Sequence, residues 1–221
     1  MKNPWLDFEI SDHMVHPLDR DSVDSHNKIA KPEYKFLTHL APEPWIGNIN
    51  APLVVLLANP GATKSDMQGK PQRGVDEINK LSIANLKHEI KDYPHFFFNP
   101  KLANTDGYKW YERRFGHLIR ETSAENVSKK VMTCEMVPYH SFSWKKPKAM
   151  PPTQEFTFSI INDAIDREAI ILIGRGKTDW MKYLPKLRNY KRYFQPASPQ
   201  CAYLSPKNYR AAFKDILGAI S

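Results

Sequence analysis

Leu53-Val54-Val55-Leu56-Leu57-Ala58-Asn59-Pro60-Gly61-Ala62-Thr63 is the segment on which the fold turns. Its apolar run lies uninterrupted between Pro52 and the turn residues Asn59-Pro60-Gly61. A short run of this kind, without polar alternation, reads as a strand buried on both faces, as in a parallel sheet. Three runs further along the chain are comparable. Val131-Met132-Thr133-Cys134-Glu135-Met136-Val137 stops at Pro138, and Ala169-Ile170-Ile171-Leu172-Ile173 stops at Gly174. The more polar Lys191-Arg192-Tyr193-Phe194-Gln195 stops at Pro196. Helical patterns fall between them: Tyr111, Phe115, Leu118 and Ile119 share one face, as do Phe156, Ile160, Ile161, Ala164 and Ile165. Ser205 suits the N-cap and Pro206 the first position of a last helix striped by Tyr209, Ala212, Phe213, Ile216, Leu217 and Ile220. Strands alternating with helices imply right-handed crossovers and a parallel sheet covered on both faces. The expected fold is therefore α/β, a three-layer α/β/α sandwich. Its four-stranded parallel core sheet uses residues 53–58, 131–137, 169–173 and 191–195.

A chain of 221 residues, 41% of them hydrophobic, suits one large domain with a full core. Residues 51–221 carry all the periodic elements. Residues 1–50, rich in Pro, His and Asp and without a sustained period, are expected to form an extended amino-terminal arm packed on that domain. No stretch approaches the roughly 20 apolar residues that span a bilayer, so no membrane association is expected. Met1-Lys2-Asn3-Pro4-Trp5-Leu6-Asp7 has an acid and a proline where a signal peptide carries its apolar segment, which points to the cytoplasm. Cys134 and Cys201 read as reduced structural thiols. The eight histidines form no HxH or HExxH cluster, so neither metal nor organic cofactor is expected. Thirty-two cations against 24 acids leave a formal charge of +8, an excess that suits phosphate-bearing partners such as DNA or another nucleic acid.

In doubly wound sheets the ligand site lies beyond the carboxyl ends of the strands, and each distinctive loop here follows a strand. In Asn59-Pro60-Gly61, the carboxamide offers both donor and acceptor, Pro60 stiffens the turn, and Gly61 lets a ligand approach the backbone. The same residues also make an ordinary turn. In Pro138-Tyr139-His140-Ser141, adjacent Ser and His point different ways, so they are no nucleophilic pair. His140 is a candidate general acid, or a strand-end histidine bonded to backbone. Gly174-Arg175-Gly176-Lys177-Thr178 lacks Walker spacing. Arg175 and Lys177 there either contact phosphate or belong to a plain strand-to-helix turn. Ser143-Trp144-Lys145-Lys146-Pro147-Lys148 interleaves an aromatic with Lys145, Lys146 and Lys148, as a stacking, phosphate-attracting surface does; a solvated basic loop has the same composition.

A strand followed by Asn59-Pro60-Gly61 resembles the first motif of the uracil-DNA glycosylase superfamily, closest to its mismatch-specific branch. The likeness covers roughly residues 50–221, and the order of the segments carries it. It implies that Asn59 orients the attacking water and that Pro60 and Gly61 contact the substrate, Gly61 admitting the sugar–phosphate. It also implies that Tyr139 and Ser141, in the second loop, face the base. The last loop, Gln195-Pro196-Ala197-Ser198-Pro199-Gln200-Cys201-Ala202-Tyr203-Leu204, stands where the family carries its DNA-intercalating motif, so Ser198 and Gln200 would probe the duplex. The departures are specific. The usual histidine of that last motif is absent, and Leu57 stands where a glycine usually leads the first. No aromatic follows Gly69 closely, and Phe96, Phe97 and Phe98 either replace it or pack in the core. The resemblance implies a protein that flips a damaged or deaminated base out of DNA and hydrolyses its N-glycosidic bond. The alternatives are a non-catalytic relative that binds a nucleobase or nucleic acid, and an interaction protein with a vestigial pocket.

Overall fold

The computed structural model describes residues 1–70, 74–198, 203–210 and 212–221. Five strands form one sheet: β1 (Trp45–Gly47), β2 (Leu53–Leu56), β3 (Val131–Cys134), β4 (Ile170–Ile173) and β5 (Tyr193–Phe194), in the order β1-β3-β2-β4-β5. β2 pairs parallel with β3 and β4, and β4 with β5. The register sets Leu56 opposite Cys134 on one side and Ile173 on the other, so three strands end level. The apolar runs became strands because successive residues are buried on opposite faces. Val54, Leu56, Met132, Cys134, Ile171 and Ile173 enter one hydrophobic cluster; Leu53, Val55, Val131, Ile170 and Leu172 enter another.

The sheet is mixed rather than wholly parallel. β1 runs antiparallel on β3, with Trp45 opposite Cys134 and Gly47 opposite Met132. Gly47 has φ +110°, and a Cβ there would lie 2.4 Å from the Val131 carbonyl oxygen, so the close approach needs glycine. The outer edge of β1 finds its partners in a side chain. Asn85 Nδ2 donates to the Trp45 carbonyl at 2.7 Å, and the Gly47 amide donates to Asn85 Oδ1 at 3.0 Å.

Nine α-helices occur among the described residues. They are α1 (Arg20–Ile29), α2 (Lys64–Met67), α3 (Val75–Leu86), α4 (Asp106–Glu121), α5 (Ala124–Lys130), α6 (Gln154–Asp166), α7 (Lys177–Tyr183), α8 (Pro206–Tyr209) and α9 (Ala212–Ile220). Phe156, Ile160 and Ile161 of α6 and Trp180 of α7 cover one face of the sheet. Phe115 and Leu118 of α4, Val127 of α5 and Ile216 of α9 cover the other. The last stripe is split: Ser205 caps only the short α8, and α9 begins at Ala212. No helix of the described residues is long and apolar enough to cross a membrane.

The first fifty residues are not an extended arm. They contain α1 and β1, and Trp5, Val15, Val23, Phe36 and Trp45 are fully or nearly fully buried in the same cluster as the sheet. The helix went unread because Arg20–Ile29 is mostly polar; Val23 and His26 are the residues it buries. Asp19 ties this segment down. It accepts from the Tyr139 hydroxyl at 2.7 Å, from the Thr153 amide at 2.9 Å and from the Thr153 hydroxyl at 2.6 Å.

Candidate functional site

Beyond the level strand ends, the loops after β2 and β3 continue side by side. The Leu57 amide donates to the Cys134 carbonyl at 2.8 Å, Val137 to Ala58 at 3.2 Å and Ser141 to Pro60 at 3.3 Å, and Gly61 bridges Ser141. On the other flank the Gly174 amide donates to Leu56 at 2.9 Å, and Trp180 Nε1 donates to the Leu57 carbonyl at 2.9 Å. The backbone here is fixed from both sides, and it surrounds a cavity of about 390 Å³. Asn59, Pro60, Gly61, His140, Ser141 and Arg175 all line it.

Asn59 is half-buried, and its geometry is directional. Nδ2 donates to the Pro60 carbonyl and to Ser141 Oγ, both at 2.9 Å, while Ser141 donates its own proton to the Ser143 carbonyl at 2.8 Å. A carbonyl only accepts, so the end of Asn59 facing Pro60 is the amide nitrogen, and Oδ1 is left as an acceptor beside the cavity. His140 is placed differently from a free general acid. Nδ1 lies 2.8 Å from the Gly61 carbonyl, Nε2 lies 3.1 Å from the Ala41 carbonyl, and Glu43 Oε2 is 3.8 Å from Nε2. Both ring nitrogens are occupied by backbone, so the ring fastens the Asn59 loop to residue 41.

The other expected residues divide. Tyr139 does not face the cavity: its ring is fully buried in the core and its hydroxyl serves Asp19, so the expected contact with a base is corrected to a structural anchor. Lys145 stands over the Tyr34 ring, with 5.8 Å to the centroid. Lys146 forms an ion pair with Asp179. Lys148 and Lys177 are exposed, and none of these four lysines lines the cavity. Ser198 lies apart, in a second concavity of about 570 Å³ whose walls include Arg113, His117 and Arg120 of α4 together with Tyr203 and Lys207. Gln200 falls outside the described residues. Among the described residues no acid pairs with Arg113, Arg120 or Lys207. Arg114, one helical step away, packs on Trp110 at 3.6 Å and approaches Tyr203 at 5.9 Å, so it stands between the two concavities.

Several cavity residues escaped the sequence reading. Trp110 and Tyr111 of α4 line it. Of Phe96, Phe97 and Phe98, offered by the sequence as a stacking aromatic or as core, all three are buried in the core and Phe97 also forms cavity wall. Three buried acids also line it, Glu43, Asp66 and Glu135, of which Asp66 accepts from the Thr63 amide and hydroxyl in the cap of α2. Glu43 accepts from the Ser82 hydroxyl at 3.0 Å; burial raises its pKa, with His140 opposing. Glu135 has no such support. Its Oε2 is shut off from solvent and meets no hydrogen-bond donor among the described residues. Burial, and then Glu43, push its pKa well above the usual carboxylate range, with Arg175 opposing. The Tyr111 hydroxyl, 3.3 Å from Thr133 Oγ1, is pushed up by burial and then by Glu135 and Glu43. One signal for Glu135 was in the sequence: an acid interrupts the apolar run Val131–Val137 where the strand ends. Glu43, between Pro42 and Pro44, carried none. No group of three or more His, Cys, Asp or Glu is placed to hold a metal ion among the described residues. Comparison with protein-family models, with curated proteins and with solved structures finds no match to this chain.

Proposed function

We propose that this chain is a uracil-DNA glycosylase-like protein that takes a damaged or deaminated base into the Asn59 cavity and hydrolyses its N-glycosidic bond. In this reading the fold is the three-layer sandwich of that superfamily, with β1 added at the edge of its parallel core. The observation that carries the reading is Asn59, whose amide nitrogen is bound to Pro60 and Ser141 while its oxygen is left to accept. A water donating to that oxygen is presented for attack on the anomeric carbon. The bond between that carbon and the base nitrogen breaks with its electron pair going to the base, and the water's second proton leaves to solvent. A cavity of about 390 Å³ suits a base, being near the small end of ligand sites. Phe97 and Trp110 supply flat apolar wall. The basic face of α4 beside it suits a phosphodiester backbone.

A second reading is favoured by a specific observation. Both nitrogens of His140 are engaged by backbone, and residues 195–198 hold no histidine, so no imidazole is placed to assist a departing base. The chain would then bind a base or nucleic acid without cleaving it. Duplex and single-stranded oligonucleotides bearing uracil, hypoxanthine or a mismatch, incubated with the protein and treated with alkali, separate the two. Strand breaks at the lesion support the glycosylase. Salt-sensitive binding without breaks selects the binding protein, and neither result would refute both.

A further inference from the structure

We infer that the Glu135 carboxyl selects the ligand of this cavity, by hydrogen-bonding a nucleobase edge that presents one donor beside one acceptor. The inference rests on the base-pocket reading and names the chemistry within it. Glu135 is held by its backbone rather than by its side chain. Its amide donates to the Pro44 carbonyl at 2.9 Å, and its carbonyl accepts from Gln154 Nε2 at 2.7 Å. Gln154 is itself fully buried and also donates to the Met136 carbonyl at 2.9 Å. The residue is thus fixed in the cavity wall while its Oε2 meets no hydrogen-bond donor among the described residues. Buried polar atoms are nearly always hydrogen-bonded, and an exception in a ligand-sized cavity marks a place where the partner arrives from outside.

The surroundings decide which form of the carboxyl a ligand meets. Glu43, from the segment before β1, opposes ionisation of Glu135, as burial does; Arg175, after β4, is the group that favours it. Tyr111 on α4 and Cys134 on β3 are further titratable neighbours, and both are themselves pushed up by burial and by Glu135. The balance keeps the proton on the carboxyl above the usual carboxylate range. A protonated carboxyl offers one O–H donor and one carbonyl acceptor side by side, whereas a carboxylate offers acceptors only. Uracil, cytosine, adenine and hypoxanthine each present an edge with a donor next to an acceptor.

The test compares the parent protein with Glu135→Gln, which keeps one donor and one acceptor but cannot ionise, and with Glu135→Leu, which keeps neither. Titration calorimetry with uracil, cytosine, adenine and hypoxanthine should show the parent binding at least one of them. Glu135→Gln should bind that base within about threefold of the parent, and Glu135→Leu about ten- to a hundredfold more weakly. Parent affinity should fall as pH rises through the raised carboxyl value, with the Gln variant flat. Without ligand, Glu135→Leu should melt higher than the parent, because an unpartnered buried polar group has been removed. Equal affinity of the Leu variant, or the same pH profile for Gln and parent, overturns the role of Glu135 alone. A Leu variant that melts lower or does not fold also overturns it, marking Glu135 as structural. A parent that binds none of the bases and cleaves no lesion overturns the base pocket itself, and the role of Glu135 with it.

Discussion

Asn59 has a carboxamide whose nitrogen is divided between a carbonyl and a hydroxyl, and that division decides what its oxygen can do. Orienting a water matters in the transition state and adds little to the affinity for DNA held elsewhere. If the protein cleaves a glycosidic bond in DNA, Asn59→Ala should therefore slow single-turnover base release by about 10²–10⁴-fold, the contribution typical of a positioned proton-handling group, while DNA affinity stays within about threefold. Rapid-quench single-turnover assays beside equilibrium binding check this, and a folded variant cleaving at the parent rate removes the role. At this scale the sequence was informative where a loop residue stands next to a strand end. Asn59, Gly61, His140, Ser141 and Arg175 were all found by that rule and share one cavity. Tyr139 fails it because it looks the other way, and the reason lies 120 residues upstream in Asp19, which no local pattern joins to it.

At the scale of elements, β2, β3 and β4 were legible because burial on both faces forces a continuous apolar run. β1 was not, since Trp45-Ile46-Gly47 is three residues between Pro44 and Asn48 and owes its pairing to β3 and Asn85. Asn85→Ala should leave the Trp45 carbonyl and the Gly47 amide without partners, at about 1–3 kcal/mol for each buried group. Urea unfolding followed by tryptophan fluorescence measures this loss; a variant as stable as the parent would show that β1 needs no such closure. Helix α4 makes a different demand. Arg113, His117 and Arg120 recur along one face, and a pattern search tuned to apolar periodicity passes over a cationic one. If the protein binds DNA, converting Arg113, Arg120 and Lys207 to Ala should flatten the salt dependence of binding by about one unit of log–log slope per lost phosphate contact. The matching triple replacement of Lys145, Lys146 and Lys148 should flatten it less, because Lys146 is already paired with Asp179. Binding isotherms across a salt series distinguish the two, and equal slopes for the α4 variant and the parent would place the backbone elsewhere.

For the whole molecule, buried ionisable groups of opposite kinds set the response to pH. Asp19, Glu43 and Glu135 all titrate above their ordinary values, burial being the largest cause in each. In the window between the ordinary and the raised values the folded state holds more protons than the unfolded chain, so stability falls as pH rises through it. His95 works the other way. Burial takes it from 6.5 to about 3, so as pH drops below 6.5 the unfolded chain gains a proton that the folded one refuses, and stability falls with acid. A melting-temperature series from about pH 5 to about pH 8 should show Glu135→Gln declining less than the parent towards the alkaline side. Superimposable curves would mean that Glu135 titrates alike in the folded and unfolded chain. The arrangement of the strands has one more consequence, and it concerns the order of manufacture. β2 has no neighbour in the sheet until residues 131–134 and 170–173 have been made, and Trp5 and Trp45 share a cluster with Trp180. On the ribosome the earliest residues are thus the longest waiting, and a product stalled short of residue 170 leaves Leu53–Leu56 with one edge bare. Such a fragment carries an unpaired strand edge, the feature that makes incompletely folded chains prone to aggregate.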